Sequence, residues 1–223
     1  MLSLVRKMQF LFLFFTILLF CFAKALEAQI GLWHITDIVL VILIVTSILV
    51  IGEKEHRLFM WLTIIGILQL IETFISHLLP YTFFESIRSF LAVIFFGLMT
   101  IACLQLTLRN KVINMATLFG SLSAYLFIGL SFAYLYLMIY TLDPYSLSGL
   151  GLNSQSQAIY YSFITLTTVG FGDIVATKPI VQCLTWMEAF FGQAYLAIFI
   201  SQLVSRYVAD RINLNANTKQ EET

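Results

Sequence analysis

Between residues 167 and 173 the chain reads Thr167-Thr168-Val169-Gly170-Phe171-Gly172-Asp173. The two glycines set what this stretch could do. Glycine takes backbone angles that a Cβ resists, so successive carbonyls here can face one axis. Rings of backbone carbonyls from four such loops suit a desolvated cation, because they replace the water shell lost on entering a membrane. On this reading Val169 and Phe171 point away from the axis and wedge against the wall behind, and Thr168 adds a hydroxyl at the inner mouth. The same residues also describe an ordinary glycine-containing turn, since a lone Gly-x-Gly pair is a weak signal. The flanking elements must decide between the two.

Of the 223 residues, 60% are hydrophobic and only 11% charged, against roughly 25% charged in soluble domains. The fold class expected is an all-α integral membrane protein. A net charge of zero suggests no nucleic-acid partner, whereas membrane lipids are obligatory neighbours. Cys21, Cys103 and Cys183 each sit in or beside an apolar run; their odd number argues against a closed disulfide framework, and they read as small apolar residues. The sequence shows no His/Cys metal cluster, nucleophile–base set or phosphate loop, so neither an enzyme nor a cofactor is expected.

A bilayer core needs roughly 20 helical residues, and six apolar runs approach or exceed that length. They are Met8–Ala23 (to about Leu26 if Lys24 snorkels), Leu32–Gly52, Leu58–Leu79, Phe83–Leu108, Val112–Leu142 and Pro179–Tyr207. Arg6 and Lys7 before the first run, and Ala23-Lys24-Ala25 after it, leave a cleaved signal peptide as an alternative. With six spans and the N-terminus inside, Arg6, Lys7, Lys54, Arg57, Arg109, Lys111, Arg206, Arg211 and Lys219 are cytoplasmic, and only Lys24, Arg88 and Lys178 are outside. That bias sets the orientation. The glycine stretch then faces outward, and both termini are cytoplasmic.

The fifth run is longer than one span requires. From Arg109 to Gly120, Val112, Met115, Leu118 and Phe119 fall at helical spacing opposite Asn110, Lys111, Asn114 and Thr117, a pattern suited to a short interfacial helix. Gly120-Ser121 would end it and leave Ser121–Leu142 as the span; one long tilted helix is the alternative. After a polar, glycine-containing turret, Ser154–Leu166 reads as a half-length helix whose negative C-terminal end runs into the glycine stretch. Non-helical backbone at membrane depth is tolerated where it lines water or is buried in protein. A re-entrant helix and loop between two spans meets that condition.

With this context the segment Thr168-Val169-Gly170-Phe171-Gly172 resembles the selectivity filter of the potassium-channel family, usually Thr-Val-Gly-Tyr-Gly with Phe a common variant in the fourth place. The resemblance implies a homotetramer around one pore, with K⁺ as permeant ion held at Thr168, Val169, Gly170 and Phe171. It also implies support from Thr167, Asp173 and the pore-helix aromatics Tyr160 and Tyr161, Asp173 bracing the outer mouth unless it is merely solvated. The stretch from Glu188 to Ala197 looks like the inner helix of prokaryotic members, which implies a bacterial inner membrane. Gly192 stands where the family's gating hinge stands, although it could equally be a close-packing site. Gln193, Leu196, Ile200 and Val204 follow one stripe and would line the cavity. Two departures are Ala176, where many relatives have proline, and Ile164, where some place a carboxylate; the second bears on filter stability.

The four helices before residue 109 look like a voltage-sensor layout without its charges. Voltage-sensing relatives carry a basic residue at every third position of the fourth helix, and Phe83–Leu108 has only Arg88. Asp37, Glu72 and Arg88 fall in the outer half of their helices and are expected to form a structural ion-pair cluster, since buried charges are costly unless paired. The polar tail after Ala209 is too short for a soluble ligand-binding domain on this chain. A poorly selective cation pore and, from another class, a secondary transporter are the competing readings. The first would favour a polar or acidic residue in place of Phe171, and the second would require internal repeats, which the sequence does not show.

Overall fold

The computed structural model describes residues 2–31, 33–52, 56–78, 82–108, 115–151 and 154–221. Helices α1 (Leu2–Ile30), α2 (Trp33–Ile51), α3 (His56–Leu78), α4 (Thr82–Leu108) and α5 (Met115–Leu142) precede a short turn at Pro144–Ser146. There follow β1 (Leu147–Ser148), α6 (Ser154–Leu166), β2 (Val175–Ala176) and the 43-residue α7 (Pro179–Glu221). Among the described residues five helical stretches are long and apolar enough to span: Met8–Ile30, Arg57–Ile75, Glu85–Thr107, Ala116–Leu142 and Pro179–Gln202. In α2 the apolar part, Ile35–Ile51, is shorter. This is a multi-pass, almost wholly helical membrane protein.

Lipid chains are as apolar as leucine, so contacts between the helices rest on dispersion and close packing rather than on escape from water. α1 packs on α2 and α5, while α4 lies along α5 and against α3. Leu13, Ile17 and Phe20 of α1, Leu43 of α2, Leu62 of α3 and Phe127 of α5 share one core with α4. At its centre Phe96 meets the rings of Phe20 (6.3 Å), Phe95 (5.6 Å), Phe127 (5.8 Å, stacked) and Tyr134 (5.5 Å).

The helix break expected at Gly120-Ser121 is absent, because α5 runs through both residues. Residues 109–114, the first half of the expected interfacial helix, lie outside the described residues. Gly120 serves packing instead: a Cβ there would come within 2.7 Å of the Thr107 hydroxyl and 3.2 Å of the Phe10 ring. Glycine weakens a helix by about 1 kcal/mol, too little to end one held by neighbours on two sides. α7 continues as helix into the polar tail after Ala209, as far as Glu221.

Candidate functional site: a glycine loop hung from a half-helix

α6 is short, and its buried face (Ala158, Ile159, Tyr161, Ser162, Thr165 and Leu166) points into the subunit. Its last turn does not simply fray. The amides of Val169 and Gly170 both donate to the Ile164 carbonyl (2.8 and 3.1 Å), and Thr168 N donates to Thr165 O (2.9 Å). The start of the glycine stretch is therefore tied, amide by amide, to the end of α6. Ile164, which replaces the carboxylate of some relatives, supplies the shared acceptor through its backbone.

Positive φ then recurs at every second residue: Thr168 (60°), Gly170 (51°) and Gly172 (78°). Alternating handedness turns successive N–H groups to one side of the chain and leaves the carbonyls to the other. Gly170 and Gly172 accept these angles freely. Thr168 does not, and left-handed backbone costs a residue with a side chain roughly 1–2 kcal/mol. The hydrogen bonds back to α6 offset that strain. Chemically, such a strand can offer a row of carbonyl oxygens to a cation.

Side chains of α5 and α7 hold the junction between helix and loop. Tyr125 Oη donates to Leu166 O (3.3 Å). Gly192 lies so close to that carbonyl that a Cβ would sit 2.2 Å from it, so close packing is the role on view and α7 passes Gly192 without a break. One residue on, the Gln193 amide reaches Thr168 Oγ1 at 3.4 Å. Gln193 and Ile200 are exposed in the single chain and Leu196 is half-buried; the side chain of Val204 lies outside the described residues.

Val169 and Phe171 do not find within their own subunit the wall expected behind them, being 53% and 71% exposed. Past the glycines, Asp173 lies within hydrogen-bonding reach of Tyr160, and this contact, more than burial, holds the phenol above its usual range. Tyr161 turns the other way, its ring edge-on to Tyr136 (centroids 5.0 Å) and its hydroxyl 2.8 Å from Thr185 Oγ1. Thr167 points back, donating to Phe163 O (2.7 Å). The loop after Gly172 is pinned by antiparallel pairing of Leu147 with Ala176 and Ser148 with Val175. Thr177 N adds a bond to Ser146 O (3.0 Å).

The structure gives a role to one residue that sequence reasoning left without one. Glu188 of α7 is completely buried and meets Tyr136 of α5 and Ser162 of α6 at 2.8 and 2.5 Å. The available signal was a carboxylate inside an apolar span, which by default marks a functional position.

In the peripheral helices Arg88 Nε pairs with Glu72 at 3.3 Å. Asp37 lines the same small polar cavity, of about 20 Å³, with Arg88, Lys24, Gln69 and Gln155. Lys24 does not snorkel outward. It turns inward to Glu27 (3.0 Å) and to Gln155 on the first turn of α6 (2.9 Å), which ties α1 to α6.

Residues 120–209 match the family described as "Ion channel". Over 82 residues the chain is 32% identical to "Two pore potassium channel a" of Oryza sativa subsp. japonica, covering 35% of this chain and 23% of that protein. Over 56 residues it is 41% identical to "Potassium channel subfamily K member 4" of Rattus norvegicus and of Mus musculus, covering 22% of this chain and 14% of each relative. Residues 120–209 are thus similar to an ion-channel domain, and the curated relatives that this chain matches are potassium channels. The matched stretch takes in most of α5, the whole of α6 and the glycine stretch, and α7 as far as Ala209. The chain thus spans about a quarter or less of the length of the curated relatives it matches. No solved structure matches it.

Proposed function

We propose that this chain forms a K⁺-selective channel, four copies arranging residues 168–172 around one axis so that their carbonyls replace the hydration shell of K⁺. The observation that carries this reading is the positive φ at every second filter residue, with the amides of Thr168, Val169 and Gly170 bonded back to α6. Exposed Val169 and Phe171, and the uncovered Trp186, Phe190 and Phe191 of α7, favour assembly, because neighbouring subunits would supply the missing walls. One filter segment per chain calls for four chains.

With six spans, α2 being a short one, both termini share a side, and the bias of basic residues supports reading that side as the cytoplasm and the filter as facing outward from a bacterial inner membrane. α1 is then retained, since Leu13, Ile17 and Phe20 are part of the core. Gly192 is a hinge as well as a contact only if α7 bends there on opening, with Gln193, Leu196, Ile200 and Val204 lining the cavity below the filter.

The test is purified protein in liposomes with opposed K⁺ and Na⁺ gradients, together with its mass in mild detergent. Four subunits and a reversal potential close to that of K⁺ are expected. Equal permeability to Na⁺ would replace this reading with a poorly selective pore, and a monomer as the sole species would end it.

A further inference from the structure

Behind the filter lies a cluster whose hydrogens can be counted. Ser162 Oγ is 2.6 Å from the Gly129 carbonyl and 2.5 Å from Glu188 Oε1, while Tyr136 Oη is 2.8 Å from Glu188 Oε2. Each of these three short contacts needs a hydrogen between its oxygens. Tyr136 supplies one and Ser162 one; the Gly129 carbonyl can only accept. With Glu188 ionised, one of the serine contacts would press two acceptors together. With a proton on Oε1, every contact closes: Glu188 donates to Ser162, Ser162 to Gly129 O, and Tyr136 to Oε2.

The surroundings favour the same state. Glu188 is completely buried, and no described ion pair includes it. Among the described residues, the titratable side chains facing it are Tyr125 and Tyr136 from α5 and Tyr161 from α6, none of them cationic. A buried carboxylate without a countercharge is strongly disfavoured, whereas a carboxylic acid with both oxygens bonded is not.

Resting on the channel reading, we propose that Glu188 is a positioning residue held as the neutral acid, joining outer helix, pore helix and inner helix immediately behind the filter through one donor and one acceptor. Loss of its proton leaves two acceptors facing each other at Ser162 and lets α6, from which the filter hangs, move away from α5 and α7. The joint is intact at low pH and fails as pH rises through the titration of Glu188.

The test compares the wild-type tetramer with Glu188→Gln, whose amide also offers one acceptor and a donor but cannot ionise. Infrared difference spectra of the two proteins at neutral pH should show one protonated-carboxyl band in the wild type that E188Q lacks; a carboxylate band in its place overturns the proposal. In liposomes E188Q should conduct K⁺ undiminished and without the wild type's loss of flux at alkaline pH. A tetrameric E188Q that does not conduct, or alkaline profiles that coincide, would overturn it as well. A wild type that passes no K⁺ would instead reject the channel reading, and the infrared band, which requires no flux, would still report on Glu188.

Discussion

Gly170 and Gly192 would each reject a methyl group, for different reasons. At Gly170 there is room, with nothing within 4 Å of an added Cβ, but φ is +51°. Alanine would bear only the left-handed backbone penalty, roughly 1–2 kcal/mol in each subunit of the proposed tetramer. Gly170→Ala is therefore expected to assemble and yet lose K⁺ flux; normal selectivity in that variant would move the filter elsewhere. At Gly192 the helix is regular and the space is missing, because the Cβ would meet Leu166 O at 2.2 Å. Gly192→Ala should push α7 off the pore helix and reduce both tetramer stability and open probability. Adding Ala194→Gly separates packing from hinging. A hinge can be restored by a nearby glycine, whereas the contact with Leu166 cannot, so recovery of open probability in the double variant would favour the hinge.

Between elements, the polar links around Lys24 matter more than their number suggests. Lys24 joins α1 to α6 through Gln155 and neutralises Glu27, which also accepts from Thr36 at 2.5 Å. Lys24→Met keeps the length of the side chain and leaves the carboxylate without its cation. Breaking a fully buried pair costs about 3–5 kcal/mol; this pair is 11% and 21% exposed, so a loss of roughly 2 kcal/mol is expected after allowing for water. Thermal unfolding of K24M and of K24M/E27Q checks this, the second change recovering most of the loss. Equal melting points for the two variants would show that Glu27 does not depend on Lys24.

For the whole molecule, the decisive feature is how little charge the peripheral helices can move. One elementary charge crossing 100 mV is worth about 2.3 kcal/mol. Arg88 is the basic residue of α4 and is paired with Glu72 at 3.3 Å, so moving it inward would either break that pair or carry a nearly neutral one. A tilt that shifted about a quarter of a charge in each subunit of the proposed tetramer would total one charge, hence about 2.3 kcal/mol per 100 mV. A shallow conductance–voltage relation is expected. A curve as steep as many gating charges, with its steepness abolished by Arg88→Gln, would refute this; steepness that survived would locate the charge movement in the filter.

How much of this was legible before folding depends on how local each signal is. The half-helix Ser154–Leu166 and the glycines at 170 and 172 were readable because length, dipole direction and the need for left-handed backbone are properties of a few adjacent residues. The membrane class followed from composition for the same reason. Which side of each span faces protein was not readable. α5 is apolar all round, and lipid and core solvate such a helix almost equally, so nothing in the pattern marks Gly120 as a contact rather than a helix end. Nor does it say that Lys24 turns inward instead of toward the headgroups. The joint behind the filter was equally hidden, since Glu188 meets partners 26 and 52 residues away. Only the crossing of α5, α6 and α7 brings one carboxyl, one phenol and one serine within hydrogen-bonding distance, and that crossing is set by packing among helices whose sequences do not name their partners.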